Sequence, residues 1–220
     1  MEFINRHFQT NGYIEVKLNT ETIDYLWKII KRGLKNKVSH KNNLAGNISK
    51  SYLLNDDNNF FYKKICEPLI NIYRQNNNNG LDPTCTNSIL DNVPFILKDI
   101  WVNHQYQTEF NPYHDHGGVY SFAIWMKIPY DSAQQALLPQ FREIEPSQRK
   151  AGKFEFEYLD TLGEIKVLSY DLSQLYEGRM VFFPSKLRHC VYPFYGTDEP
   201  RISISGNIWF DPSQVGTNKA

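Results

Sequence analysis

The second half of this 220-residue chain is a series of short β-rich runs separated by turn residues, and this series constrains the fold more than any other feature. Many short strands at such spacing are typical of a β-sandwich or jelly roll. Aromatic residues make up 15% of the chain, and their rings suit the space between two packed sheets. The runs lie at residues 94–104, 119–128, 154–158, 164–169, 178–183, 189–194 and 201–210.

The first part of the chain has helical patterns instead. Residues 20–35 carry apolar side chains at helical spacing, and Asn19 or Thr20 can cap the first turn. A second helix is expected over residues 58–75. We therefore expect one mainly β domain, in which a helical part over residues 1–93 packs its helices on one sheet of a β core that spans 94–210.

Composition narrows the classes of function. Lys+Arg and Asp+Glu both number 24, so the chain has no net charge that would attract it to nucleic acid or to an anionic membrane. No apolar run approaches the roughly twenty residues of a membrane span, and the amino terminus lacks the apolar stretch of a signal peptide. The three cysteines form no CxxC pair, which favours a reducing compartment. We expect a cytoplasmic protein that binds neither nucleic acid nor membrane, and an oligomer is compatible with these patterns.

Three histidines suggest a metal site. His114 and His116 are two residues apart, so on an extended chain their side chains share one face. His189 follows an apolar β-rich run and can arrive from a distant strand. Three imidazoles on one side of a metal leave positions open for substrates. Asp115 should point to the opposite face, so we expect it to lie outside the ligand set.

A candidate anion-binding pair follows the last of these histidines. Arg201 and Ser203 alternate at the start of the final β-rich run. A guanidinium and a hydroxyl on one strand face suit the bidentate binding of a carboxylate. The sequence therefore predicts an anion clamp beside the metal.

This ordered set of motifs resembles the iron(II)/2-oxoglutarate-dependent oxygenases, and more narrowly the prolyl-4-hydroxylase-like members found in marine bacteria and their phages. The resemblance covers about residues 95–210, and a segment with the sequence LAGNI at residues 44–48 is similar to the phage members. The matching segments are Trp101-Val102-Asn103, Asn111-Pro112-Tyr113-His114-Asp115-His116, Gly118-Val119-Tyr120, Phe183-Pro184-Ser185-Lys186-Leu187-Arg188-His189 and Arg201-Ile202-Ser203-Ile204-Ser205-Gly206-Asn207.

The resemblance implies a double-stranded β-helix (jelly roll) that binds Fe(II) and uses 2-oxoglutarate and O2 as co-substrates. It implies hydroxylation of a peptidyl, including prolyl, or small-molecule substrate, with release of succinate and CO2. For a phage-encoded member the compartment would be the host cytoplasm. It assigns His114, His116 and His189 to the metal, and Arg201 and Ser203 to the far carboxylate of 2-oxoglutarate. Asn103 and Tyr106 lie on a strand that leads to this site, so they are expected to contact the co-substrate.

One departure from the superfamily leaves other functions open. Most members carry Asp or Glu two residues after the first histidine, whereas this chain has His116, so its ligand set is neutral. A zinc hydrolase or lyase could use the same three histidines to activate water, although that chemistry does not require Arg201 and Ser203. A non-enzymatic jelly-roll binding protein is a third interpretation.

Substrate recognition is expected from the loops at 105–113 and 131–153.

Overall fold

The structure is a computed structural model that describes residues 12–76, 93–211 and 213. The helices are α1 (Thr20–Asn36), α2 (Glu67–Asn76) and α3 (Ser132–Gln135). The strands are β1 (Ile14–Lys17), β2 (Lys50–Leu53), β3 (Phe95–Gln105), β4 (Asn111–His114), β5 (Tyr120–Lys127), β6 (Phe154–Leu159), β7 (Ile165–Tyr170), β8 (Arg179–Pro184), β9 (Arg188–Val191) and β10 (Arg201–Phe210). None of the helices in these ranges is long and apolar enough to cross a membrane.

Two antiparallel sheets form a jelly roll. The larger sheet has the strand order β1-β8-β5-β10-β3-β2, and the smaller has the order β4-β9-β6-β7. The mainly β jelly roll that the sequence predicted is confirmed, and each of the seven expected runs contains a strand.

Side-chain alternation gives the larger sheet two buried faces. On β5, Phe122 and Ile124 pack with α1 residues such as Leu26 in one core cluster. Trp125, from the opposite face of the same strand, packs with Phe154 of the smaller sheet in the second cluster. Burial on both faces explains why β5 is apolar at almost every position. The N-terminal helices therefore cover one sheet, as the sequence indicated.

The first 93 residues are not purely helical, because they also supply both edges of the larger sheet. β1 pairs with β8, and β2 pairs with β3. Each of these strands has only four residues, too few for alternation to identify, and β4 escaped the sequence patterns for the same reason. The second helix also differs from the expectation: a π-helical turn over Tyr62–Cys66 leads into α2, which places Pro68 in the first turn of that helix.

Candidate metal centre and its cavity

The smaller sheet and its adjoining loop bring the three histidines together. His114 ends β4 and lies directly opposite His189 of β9 in the antiparallel ladder, while His116 follows in the loop that leads to β5. Their potential ligand nitrogens all lie within 4.8 Å of one another. Asp115 does not belong to this cluster. It is exposed and forms an ion pair of 3.0 Å with Lys186.

Backbone carbonyls orient two of the three imidazoles. Nδ1 of His114 lies 2.7 Å from the carbonyl oxygen of Pro112, and Nδ1 of His189 lies 3.0 Å from that of Leu187. Because a carbonyl oxygen can only accept, each Nδ1 carries the proton and each Nε2 keeps its lone pair. The Nε2 atoms of His116 and His189 are 3.1 Å apart. Imidazoles held in this way from the second nitrogen are typical metal ligands, so the cluster fits a divalent cation.

Burial keeps the three rings neutral. It lowers the pKa of His116 to about 4, with a further lowering from the neighbouring His114. It lowers the pKa of His189 well below the usual value, and that of His114 in the same direction. At neutral pH a metal therefore does not have to displace protons from these nitrogens.

A cavity of ≈ 470 Å³ lies against the histidines, and the ladder between β3 and β10 forms its floor. Four facing pairs of side chains line this floor, with roughly 7 Å between successive pairs. The most buried pair is Gln105 with Arg201, and the pair at the mouth is Asp99 with Asn207. The two pairs between them are Asn103 with Ser203 and Trp101 with Ser205.

Arg201 is a buried cation with neutral partners. Its side chain is 2% exposed. The guanidinium donates to the hydroxyl of Tyr130 at 2.7 Å and to the side-chain oxygen of Gln105. None of the ion pairs within residues 12–76 and 93–211 involves Arg201. A buried charge without a counterion is costly, so this end of the cavity suits an anionic ligand.

The other residues expected to contact the co-substrate divide into two groups. Ser203 and Asn103 line the cavity, and Oδ1 of Asn103 is buried without a hydrogen-bond partner among the described residues. Tyr106 lies just beyond the end of β3 and outside the cavity lining, where its hydroxyl accepts a hydrogen bond of 2.8 Å from Lys50. This geometry gives no support to a contact between Tyr106 and a molecule in the cavity.

Sequence reasoning missed Tyr130 and Gln105, because nothing local marks a tyrosine or glutamine as the partner of a distant arginine. Substrate recognition was expected from the loops at 105–113 and 131–153, and the first of these contributes Gln105 and Asn111 to the cavity lining. None of the residues 131–153 lines the cavity, whereas five residues from the segment before β2 do. These five are His40, Asn43, Leu44, Ala45 and Ile48. The sequence feature that could have identified this part of the cavity lining was the LAGNI segment at 44–48, which resembles the phage members.

The segment at 131–153 packs behind the arginine instead. Gln135 exchanges two hydrogen bonds with the backbone of Tyr195, of 2.9 and 2.8 Å. The hydroxyl of Tyr130, which accepts from Arg201, donates to the carbonyl of Gly152 at 2.9 Å. The segment therefore supports the buried end of the cavity and leaves the mouth to other parts of the chain.

Comparisons with known proteins agree with this arrangement. Residues 99–207, which include the three histidines and Arg201, match the family model described as "Putative 2OG-Fe(II) oxygenase". No curated protein matches the chain in sequence.

Solved structures share the fold at low sequence identity. A prolyl-4-hydroxylase from Pseudomonas putida has a TM-score of 0.51 and 13% identity, over 91% of this chain and 92% of that one. A viral collagen prolyl hydroxylase from Paramecium Bursaria Chlorella virus-1 has a TM-score of 0.50 and 12% identity, over 89% and 94%. A prolyl hydroxylase from Trichoplax adhaerens, in complex with a hypoxia inducible factor peptide fragment, has a TM-score of 0.52 and 14% identity, over 96% and 89%. At such identities the likeness establishes the jelly-roll fold alone.

Proposed function

Because this chain belongs to the iron(II)/2-oxoglutarate-dependent oxygenase superfamily, we propose that it is a dioxygenase that hydroxylates a peptidyl, including prolyl, or small-molecule substrate. In the balanced reaction, a substrate C–H bond, 2-oxoglutarate and O2 give a C–OH group, succinate and CO2. The peptide bound to the similar Trichoplax adhaerens protein supports a peptide among the candidate substrates.

The observation that carries the proposal is the buried guanidinium of Arg201, which forms no ion pair with any described residue and lies in the same cavity as the three histidines. A metal site alone fits hydrolysis as well as oxidation. A zinc hydrolase or lyase would leave Arg201 without a task, whereas a dicarboxylate co-substrate needs a cation at a distance from the metal. Ser203 lies one facing pair nearer the mouth and adds a hydroxyl donor along the same floor.

Iron bound with 2-oxoglutarate supplies the activation of O2 and the oxidation of the substrate. The protein would hold the metal through His114, His116 and His189 and would orient the far carboxylate through Arg201. Tyr130 and Gln105 fix the guanidinium, and the apolar side chains of Trp125 and Phe154 exclude water from this end of the cavity.

The first prediction tests the co-substrate assignment. Truncating one partner of a buried charge pair costs about 2–5 kcal/mol of binding, or roughly thirty-fold to several thousand-fold in affinity. We expect Arg201→Ala to weaken 2-oxoglutarate binding by such a factor and to leave iron binding nearly unchanged. Arg201→Lys should fall between wild type and Arg201→Ala, because lysine keeps the charge and loses the fork. Anaerobic calorimetry on the iron-loaded protein measures both affinities.

Arg188→Ala is the matched control. Arg188 is next to the metal ligand His189, but it is exposed and pairs with Glu157 at 2.8 Å. Its removal should leave 2-oxoglutarate affinity unchanged. If wild type does not bind 2-oxoglutarate at millimolar concentration, or if Arg201→Ala binds it as tightly as wild type, the co-substrate assignment is wrong and the zinc enzyme becomes the better hypothesis.

We also propose that the chain works as a single domain in a reducing cytoplasm. The sheet that α1 covers on one face provides the cavity floor on the other. Cys66 and Cys190 are buried free thiols, which supports a reducing compartment, while Cys85 lies outside the described residues.

A further inference from the structure

The cavity has a second charged end. Asp99 and Asn207 lie at the mouth, three facing pairs along the floor from Arg201. Trp101 occupies the pair next to them, and its ring centroid is 5.9 Å from that of the metal ligand His116. A molecule that extends from Arg201 to the metal therefore leaves the space around Asp99 free. A second molecule can approach the metal through this space.

Asp99 differs in its surroundings from the other carboxylate of the cavity. Among the described residues two carboxylates line the cavity, and Lys186 pairs with Asp115 at 3.0 Å. Within residues 12–76 and 93–211, Asp99 takes part in neither an ion pair nor a side-chain hydrogen bond. The adjacent Lys98 also lines the cavity, but its ammonium lies 4.1 Å above the ring centroid of Trp209 and forms no ion pair with Asp99. Asp99 is therefore an available anion beside the candidate metal centre.

Two aromatic rings, those of Trp101 and His40, line the cavity near this carboxylate. His40 stacks on Trp101, with ring centroids 4.5 Å apart and 24° between the planes. Burial lowers the pKa of His40, and attraction to Asp99 opposes that change only in part, so the imidazole is neutral at pH 7. A carboxylate next to a stacked aromatic pair is the environment that proteins use to bind cations.

From this arrangement we propose that the substrate carries a positively charged nitrogen, a guanidinium or an ammonium group, which binds Asp99 beside Trp101 and His40. The inference rests on the proposed function, because it assigns the substrate side of the same cavity. Asp99 would select the cationic group and hold it, and so place the neighbouring part of the substrate near the metal. Neutral isosteres would lose the ion pair and keep only the aromatic contact.

Two matched probe pairs test this inference. One pair is acetyl-Gly-Arg-Gly-amide and the same peptide with citrulline, which is neutral and similar in shape. The other pair is N-propylguanidine and N-propylurea, which distinguishes recognition of the group alone from recognition within a peptide.

Calorimetry on the iron-loaded protein, under anaerobic conditions with and without 2-oxoglutarate, gives each affinity. We expect wild type to bind at least one cationic probe about tenfold or more tightly than its neutral counterpart. Asp99→Asn should reduce the ratio to about two or less.

Asp115→Asn is the control. It removes another carboxylate from the same cavity, but Lys186 already neutralises that carboxylate. It should keep the preference for the cation. The proposal is overturned if Asp99→Asn retains the full preference, if Asp115→Asn loses it to the same extent, or if wild type binds none of the cationic probes at millimolar concentration.

Titration with 2-oxoglutarate in the same samples separates this proposal from the proposed function. Binding of 2-oxoglutarate without a preference for cations would overturn the substrate assignment alone. A preference that depends on Asp99, in a protein that does not bind 2-oxoglutarate, would support the cation site and overturn the oxygenase proposal.

Discussion

Two backbone carbonyls decide which nitrogen of His114 and His189 is available to a metal, because each carbonyl fixes the proton on Nδ1. His116 lacks such a contact among the described residues. Its ring lies parallel to that of His189, with 9° between the planes and 4.9 Å between centroids, and its centroid is 5.9 Å from that of Trp101. The orientation of His116 therefore depends on packing. Because different contacts hold the three imidazoles, the role of each as a metal ligand can be tested by a single substitution.

The second prediction concerns this ligand set. We expect His116→Ala and His189→Ala to lose most of the bound iron, because each removes one of three ligands. Asp115→Asn should retain iron, because its carboxylate pairs with Lys186 outside the cluster. Loss of a group that only supports a ligand typically costs about 10- to 100-fold in metal affinity, so the ligand variants should lose more than that. Elemental analysis and metal titration of anaerobically loaded protein measure these differences.

His104→Ala provides the comparison for nonspecific damage. His104 is also a buried histidine, on β3, but it lies outside the metal cluster. Its removal should leave metal content nearly intact. Greater iron loss from Asp115→Asn than from His116→Ala would show that the centre uses a histidine and an adjacent carboxylate.

At the scale of elements, the segment at 131–153 acts on the cavity through Tyr130. Gly152 has a φ of +74°, and an added Cβ would lie 2.7 Å from Cε2 of Tyr130. The tyrosine ring would have to move, and its hydroxyl contacts Arg201 at 2.7 Å. A change in this segment can therefore reach the arginine without touching the metal.

The third prediction follows from that contact. We expect Gly152→Ala to weaken 2-oxoglutarate binding by several-fold while iron content stays the same. Gly163→Ala is a matched control, since Gly163 has a φ of +81° but open space around the position of an added Cβ. Both variants bear a similar backbone strain of about 1 kcal/mol or more, visible as a lower unfolding midpoint. Equal 2-oxoglutarate affinity in the two variants would refute the link through Tyr130.

At the scale of the whole molecule, the neutral histidines couple folding to pH. Burial lowers the pKa of His116 to about 4, whereas an unfolded histidine titrates near pH 6.5. As pH falls below 6.5, the unfolded chain binds a proton that the folded protein does not bind. The free energy of unfolding therefore decreases between pH 6.5 and about pH 4, and this contribution is constant below that range.

The fourth prediction is a loss of stability of the metal-free protein between pH 7 and pH 5. His116 alone should account for about 2 kcal/mol at pH 5, from about 1.5 pKa units at roughly 1.4 kcal/mol each. Urea denaturation after chelation of metal measures the difference. His116→Gln should show a smaller change over the same range, and an unchanged pH dependence in that variant would mean that His116 does not remain neutral in the folded state.

The sequence by itself determined what depends on neighbouring residues. Alternation along an extended chain placed Arg201 and Ser203 on one strand face, and Asp115 away from the two histidines that flank it. Helical spacing after Asn19 located α1, whose cap is formed by the side chain of Asn19 accepting from the backbone N–H of Thr22 at 2.9 Å. These features are local, so the pattern of residues is sufficient to predict them.

The tertiary structure alone decided which distant residues face one another. The pairing of β4 with β9 sets His189 opposite His114, and the pairing of β3 with β10 sets Gln105 beside Arg201. A register depends on the whole buried face and on the length of the connections, so no local pattern reveals it. For the same reason the wall at 40–48 and the support of Arg201 by Tyr130 were absent from the sequence-based predictions. These side chains meet only in the folded protein, where segments far apart in sequence lie side by side.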